Sequence, residues 1–429
     1  MKDLQGREAS LLCLFDIEKG KNLEEIEESL RKSWKDRREE HFFRYLTYGV
    51  LKEEGLLIEV LRPYLRQGLR KLHAPMRWIL LQAIYQFLEM KKIPSRAVVS
   101  EAVALAKRFG HGKSGGFVNA VLRNMIRDGI MEKDVASIRQ SLLKNKDESS
   151  MAQAFSVPEF YVKDLRSQFA QEEVISILLA SKMHPTLYAR VNTLKTTAEK
   201  LLANHEELFE RGQLFEYSLA IRNLPALLES DLFANGDVYI QDESSMAVAD
   251  FAKPEGAMKI LDVCAAPGGK SFSMAMLAPD ATILAQDVSK KRLKRMEENA
   301  KRLGLSLRMR CADGREESGE SFDLVVVDAP CSGFGLIGKK PDIARHRTEE
   351  QIQELAKLQE EILEASWQSV ARGGRLVYST CTLTRCENEE VIEGFLSRHQ
   401  DARLETWNVT LPHTDHGDGF KMARLHKEA

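Results

Sequence analysis

The chain has 429 residues, 43% of them hydrophobic and 29% charged, with a formal net charge of −2. That length is too great for one core of ordinary size, so two or three domains are expected, and the near balance of charge excludes a global electrostatic hold on nucleic acid. No apolar run approaches the ~18 residues that span a bilayer, and the opening MKDLQGREASLL lacks the apolar core and cleavage site of a secretory signal, so a cytoplasmic protein without membrane contact is expected.

Residues 1–145 read as helix throughout. In APMRWILLQAIYQFLEM, Trp78, Leu81, Tyr85 and Leu88 recur at three- and four-residue steps, one apolar stripe. SRAVVSEAVALAKRFG begins after Pro94 with Ser95 as its cap and stops at Gly110; GKSGGFVNAVLRNMIRDG stops at Gly129. These helices make an all-α bundle, with Tyr45, Tyr48, Trp78 and Tyr85 in its core. The polar stretch 142–160, ending near Pro158, reads as a linker. Residues 150–235 hold a strand in TLYARVNTLK, a charged helix over TAEKLLANHEELFERG and a second strand in FEYSLAIRN, a small α/β module of RRM-like class.

From 236 to 429 strands and helices alternate, which predicts an α/β, Rossmann-like, doubly wound parallel sheet. MKILDVC, TILAQDVS, LSLRMRCADG, FDLVVVDAP and RLVYSTC are the strands. The unbroken valines of FDLVVVDAP suit a sheet centre covered on both faces. Two basic stretches stand out. SKKRLKRMEENAKRLGLSLRMR (289–310) reads as a solvated helix face at least as readily as an RNA contact, whereas GKKPDIARHR (338–347), close behind the Cys331–Gly333 turn, is expected to meet phosphate.

The six cysteines are Cys13, Cys264, Cys311, Cys331, Cys381 and Cys386. A long cytosolic chain rarely forms disulfides, and no second Cys/His pair of zinc spacing accompanies Cys381 and Cys386, so no metal is expected. Free thiols in inert, mostly buried positions are the default, Cys264, Cys311 and Cys386 among them.

The turn LDVCAAPGGKS (261–271) fails as a P-loop, because Cys264 stands where a glycine is required, and fails as a dinucleotide fingerprint, because only Gly268 and Gly269 are present. It suits the cofactor loop of a methyltransferase that uses S-adenosylmethionine (SAM), where small residues let the backbone approach the ligand at a helix N-terminus. Asp287, Asp313 and Asp328 then end successive strands, and ligands of such sheets bind at strand carboxyl ends. Asp287 can take ribose hydroxyls and Asp313 the adenine amine.

VVVDAPCSG and LVYSTCTL each end an apolar strand near a cysteine. Carbon 5 of a pyrimidine is a poor nucleophile; a thiolate adding to carbon 6 turns the ring into an enamine-like species able to accept a methyl group. A second acid or base must then assist release, and an acid beside the ring can support protonation at N3. Two thiols, Cys331 and Cys381, with Asp328 match that list. An amino-group methyltransferase would instead favour an aromatic residue after the proline.

LDVCAAPGGK, DAPCSGFG, KKPDI, LVYSTCTL…ENEE and GDGF (417–420) closely resemble the RNA cytosine-5 methyltransferases, and IPSRAVVSEAVALAKRF with GGFVNAVLRN resembles the NusB-type RNA-binding domain. Together they resemble the bacterial 16S rRNA enzymes of the RsmB/Sun/Fmu family along essentially the whole chain. The resemblance implies a NusB-like domain over 1–145, a linker module over 150–235 and a SAM-dependent catalytic domain over 236–429. It also implies that Cys381 attacks carbon 6 and Cys331 assists product release, an order the residues alone leave open. SAM contacts are implied for Cys264, Ala265, Ala266, Pro267, Gly268, Gly269, Lys270, Asp287, Asp313 and Asp328, with Lys270 supporting either the loop or the catalytic acid.

The implied substrate is a cytosine of 16S rRNA, naked or in an early-assembly small subunit; a monomer is expected as the simplest state of the protein. Departures from the family pattern are Gly338 and Lys339 in place of two arginines, Ala344 after the isoleucine of KKPDI, and Lys421 where a second aromatic is usual. They bear on RNA docking. Two other readings use the same residues: the same chemistry on transfer RNA or DNA, and a non-catalytic assembly factor built around the bundle.

Overall fold

The computed structural model describes residues 5–145 and 147–428, so the first four residues of the opening segment, Lys146 in the polar stretch and Ala429 lie outside the described residues. The chain divides into two compact units. One runs to Leu178 and includes Lys340–His346; the other comprises Leu179–Lys339 and the chain from Arg347 onward.

The first unit is helical, and helix Ala74–Glu89 is its hub. Every residue from Trp78 to Leu88 is buried, so this helix is apolar around its whole girth rather than along one stripe. Its two buried amides find partners: Gln82 Nε2 donates to Ser10 Oγ at 2.8 Å, and Gln86 Oε1 accepts from Arg7 Nε at 2.8 Å. Helix Arg37–Lys52 packs closely because Gly49 faces the Tyr85 ring, which a Cβ there would overlap. Tyr45 is 41% exposed and lies outside the expected core. Helix Ser95–Phe109 begins one residue earlier than a Ser95 cap requires, with Pro94 at the N-cap, and helix Ser114–Arg127 follows it. The polar stretch at 142–160 is not an extended linker. Asp147 accepts Ser150 N at 2.7 Å and caps a helix over Glu148–Phe155.

Segment Lys340–His346 belongs to this unit through specific contacts. Asp342 Oδ2 accepts Leu23 N at 3.1 Å at the start of helix Leu23–Leu30, and Lys340 pairs with Glu24 at 2.7 Å. Arg345 pairs with Glu54 and sits 4.9 Å above the Trp78 ring.

The second unit holds two sheets. Strands β1 (Tyr188–Val191), β2 (Phe209–Arg211), β3 (Ser218–Ile221) and β4 (Val238–Ile240) form an antiparallel sheet in the order β2-β3-β1-β4. The expected helix over 197–212 stops at Asn204, and its tail becomes β2, because Phe209 buries its ring in this sheet opposite Ile221. The RVN run welds this sheet to the next. Asn192 Nδ2 donates to Gly236 O and to Leu303 O, each at 2.9 Å.

The larger sheet contains β5 (Lys259–Val263), β6 (Thr282–Asp287), β7 (Arg308–Cys311), β8 (Phe322–Asp328), β9 (Val370–Thr380), β10 (Ala402–Thr410) and β11 (Phe420–Lys427), in the order β10-β11-β9-β8-β5-β6-β7. The run from β9 to β7 is parallel, as the alternation predicts; β11 then pairs antiparallel with both β9 and β10, making the sheet mixed. Val325, Val326 and Val327 are fully buried at its centre. The chain order reverses between β5 and β8, so the crevice for a ligand opens where β5, β8 and β9 end.

Candidate active site

Three neighbouring strand ends build the site. After β5, the chain turns at Cys264, whose φ of +62° lies in the left-handed region, and enters helix Gly269–Leu277 through Gly268 at φ +111°. A side chain at Gly268 would run into Phe272, and one at Gly269 would press on Gln241 Nε2 at 3.2 Å. Asp287, at the end of β6, supports this loop from behind: its Oδ2 accepts Ala266 N at 3.1 Å and its Oδ1 accepts Ser289 N at 2.8 Å.

A cavity of about 190 Å3 lies over the loop, walled by Tyr239, Gln241, Asp262, the Cys264–Pro267 backbone, Lys270 and Asp328. Asp262 is fully buried, and among the described residues its Oδ1 has no hydrogen-bond partner while the other oxygen takes the Ser271 hydroxyl. Burial pushes its carboxyl up to about 7 against the opposing pull of Ser271. A buried carboxylate oxygen facing a cavity is a place for a ligand's donor or positive charge. Asp313 stands apart from this wall. It forms a two-pronged pair with Arg315 (3.0 and 2.9 Å), which holds its carboxyl down at about 2.

At the end of β8, Asp328 Oδ2 lies 2.7 Å from Lys270 Nζ and Oδ1 accepts the Ser379 hydroxyl at 3.0 Å. Burial works against the Lys270 charge, but Asp328 outweighs it and raises the ammonium's hold on its proton. Of the two groups the sequence offers Lys270, the loop and Asp328, its ammonium touches Asp328, with Ser245 Oγ further off at 3.4 Å. Asp328 sits opposite Ser379 in the β8–β9 register, so the loops that follow lie side by side. They bring Cys331 Sγ and Cys381 Sγ to 3.1 Å. The hydrogen bond to Cys381, burial, and the nearby charges of Glu387 and Asp328 all push the Cys331 thiol well up. Gly335 donates its N–H to Cys381 O at 3.0 Å, and Gly419 donates to Gly335 O at the same distance, a backbone approach that only glycines permit.

The family described as 16S rRNA methyltransferase RsmB/F matches residues 249–426, the NusB family residues 4–127, and the RsmF/B-like ferredoxin-like domain residues 157–211. A ribosomal RNA small subunit methyltransferase B of Serratia proteamaculans is 33% identical over 426 residues, 96% of each chain. The chain belongs to the RsmB/F family of 16S rRNA methyltransferases.

A probable methyltransferase B of Bacillus subtilis is 36% identical over 365 residues, covering 83% of this chain and 79% of its own. Among solved structures, PH0851 superposes with a TM-score of 0.77 at 25% identity, covering 99% of this chain and all of its own. NSun6 from Pyrococcus horikoshii, solved with SFG, gives 0.58 at 25% identity over 63% of this chain and 98% of its own. The family is one of SAM-dependent methyltransferases, and no helix among the described residues is long and apolar enough to cross a membrane.

Several expectations about this family member change. Cys311 is exposed and Cys264 and Cys386 are half-buried, so of the thiols set aside as inert only Cys13 is a core residue. Cys264 is pushed up to about 12 by burial and the surrounding aspartates, which keeps it a neutral thiol. The basic run 338–347 spends its charges on partners within the chain: Lys339 bridges Asp242 and Asp418, Lys340 and Arg345 are paired as above, and Arg347 Nε donates to Ser332 O at 3.1 Å. Lys421 is only 2% exposed and pairs with Glu389. Asp262, Tyr239 and Gln241 were not singled out from the sequence. An acid inside an otherwise apolar strand was the available signal for Asp262.

Proposed function

We propose that this protein transfers a methyl group from SAM to carbon 5 of a cytosine in 16S rRNA through a covalent adduct between Cys381 and carbon 6. The observation that carries the reading is the 3.1 Å approach of Cys331 and Cys381 beside the Lys270–Asp328 pair. SAM, when bound, supplies the electrophilic methyl. The Cys264–Lys270 backbone, Asp262 and Gln241 would hold it, with Asp287 keeping the loop in place; the Asp262 oxygen that has no partner among the described residues and the small residues Ala265, Ala266 and Gly269 lining the cavity fit such a cationic ligand. SFG, with which NSun6 was solved, is a SAM analogue.

In this mechanism Cys381, as thiolate, adds to carbon 6 and the electron pair moves to carbon 5. Asp328, gripped by Lys270 and Ser379, exchanges a proton at N3 and so stabilises the charge that addition creates. After methylation a base removes the carbon 5 proton, carbon 5 and carbon 6 regain their double bond, and Cys381 leaves. Cys331, beside the departing sulfur, moves the proton for that release. The target base must leave its stack to expose the ring face to Cys381.

Binding of the RNA strand falls to surfaces rich in exposed positive charge. A cavity of about 810 Å3 between helices Ser95–Phe109 and Ser114–Arg127 is lined by Arg96, Lys107, Arg123 and Arg127, with Asn119 and no carboxylate among its lining residues. Arg96, Ser100, Val103 and Lys107 recur on one helix face, so the groove is written in the helical period. Phosphates are its natural occupants.

The test is incubation of purified protein with methyl-labelled SAM and unmodified 16S rRNA, followed by nucleoside digestion and mass analysis. Labelled 5-methylcytidine is the expected product. Label on another base or carbon, or on transfer RNA alone, overturns the reading.

A further inference from the structure

The segment Glu387–Glu390 behind the second cysteine loop starts with a buried acid whose partners span both thiol loops. Glu387 is fully buried. Its Oε1 accepts Ser332 N at 2.7 Å and Gln359 Nε2 at 3.1 Å; its Oε2 accepts the hydroxyls of Ser332 at 2.5 Å and Thr384 at 2.7 Å. Ser332 directly follows Cys331, and Thr384 lies just beyond Cys381. One side chain thus staples the loop after β8 to the loop after β9.

The neighbouring contacts make that staple rigid. Asn388 Oδ1 accepts the Thr380 hydroxyl at 2.7 Å, while its Nδ2 donates to Thr382 O at 3.3 Å and Thr384 O at 2.8 Å, so it grips a side chain before Cys381 and the backbone after it. Gln359, from helix Glu349–Gln368, also donates to Pro330 O at 2.9 Å, the residue before Cys331. Tyr378 closes the set, donating to Glu387 O at 2.6 Å. Among the described residues, the side-chain donors on the Glu387 carboxylate, Ser332, Thr384 and Gln359, are neutral. A buried carboxylate without a cation on it is costly, so its four hydrogen bonds must hold together something that a neutral core would not.

We infer that Glu387 is a positioning residue that sets the spacing of Cys331 and Cys381 by tying their two loops to one carboxylate. Its consequence for turnover rests on the covalent reading above; the spacing itself does not. The direction of the Cys331 shift agrees, since the Glu387 charge is among the groups that keep this thiol protonated.

The test reads the spacing without catalysis. A trivalent arsenical such as phenylarsine oxide condenses with two adjacent thiols, forming two As–S bonds and releasing one water with no change of oxidation state. Wild-type protein should chelate it at the pair, and Cys331→Ser should abolish that. Glu387→Ala should weaken chelation about tenfold or more, as expected for losing a buried charged hydrogen-bond centre, with SAM affinity unchanged. Glu387→Gln, which keeps the shape and can reverse the hydroxyl donors, should restore most of the chelation.

In turnover, Glu387→Ala should lower kcat about 10²-fold, as an ångström-scale misplacement does, with KM for RNA unchanged. Wild-type chelation in Glu387→Ala would overturn the inference. So would loss of SAM binding in both variants together with chelation, which would make Glu387 a general folding residue. If chelation behaves as stated but Cys381→Ala still makes 5-methylcytidine, the covalent reading falls and the staple stands.

Discussion

The two thiol loops and the basic segment 338–347 lie close together in the chain, and both carry chemistry that the sequence advertises. Their fates differ. Cys331 and Cys381 sit at the ends of adjacent parallel strands, and their sulfurs meet at 3.1 Å. The cations of 338–347 are instead consumed by Asp242, Asp418, Glu24 and Glu54. A residue at a strand end inherits its place from the sheet, since parallel strands finish on one edge whatever the side chains are. A lysine has no such address, and its partner is whichever acid the tertiary fold supplies.

The hardest way to break this contrast is at the thiols. Cys381→Ala should lower single-turnover methylation by on the order of 10⁴-fold or more, because it removes the proposed nucleophile. Cys331→Ala should instead leave addition intact and trap product, seen as an enzyme–RNA adduct on a denaturing gel. Adduct in the Cys381 variant and none in the Cys331 variant would exchange their roles.

The next effect tests the acid that sequence reading missed. Asp262 rises from an ordinary 3.8 to about 7 through burial. Between those values the folded state binds more protons than the unfolded one, so stability falls as pH rises, and the full cost is present above pH 7. Asp262→Asn should remove that slope and stabilise the SAM-free protein at pH 8 by on the order of 2–4 kcal/mol, with no gain at pH 3. It should also weaken SAM binding. Parallel Tm profiles for variant and wild type from pH 4 to pH 8 would show that the carboxyl titrates normally.

Asp262 also shows where legibility stops. The parallel strands β5 to β9 and the loops at their ends follow from apolar runs broken by glycine, proline and acid, and those elements were readable. An acid within LDVC looks like any strand residue until its depth and missing partner are known. The antiparallel addition of β10 and β11 and the conversion of residues 209–211 into β2 were hidden for a related reason: both depend on which sheet edge is open to receive a strand. The helix Ala74–Glu89 hid its girth of buried residues because Gln82 and Gln86 read as polar, and their partners Ser10 and Arg7 lie more than seventy residues away.

A smaller effect sharpens the contrast on the basic side. Lys339→Met leaves Asp242 and Asp418 facing each other without their shared cation and should cost about 2–3 kcal/mol of stability, measured by urea unfolding. The salt dependence of RNA binding should not change. A reduced salt slope with unchanged stability would return this residue to the phosphate-contacting role its sequence suggests.

The smallest effect is its counterpart in the helical unit. Arg123 is exposed; its Nε donates only to Asn119 Oδ1 at 3.1 Å, and it lines the groove that has no carboxylate. Arg123→Ala removes a surface charge that no acid among the described residues holds, so the folded state should lose less than ~0.5 kcal/mol. Binding is a different matter, because each phosphate neutralised by a cation releases counterions from the RNA. The slope of log K against log salt should fall by about one contact's worth, with affinity down severalfold at low salt and hardly changed at high salt. Lys339 and Arg123 would then separate cleanly: a cation the fold has paired governs stability, and a cation the fold leaves to solvent governs the grip on RNA. Equal salt slopes for Arg123→Ala and wild type would remove the groove from the RNA path.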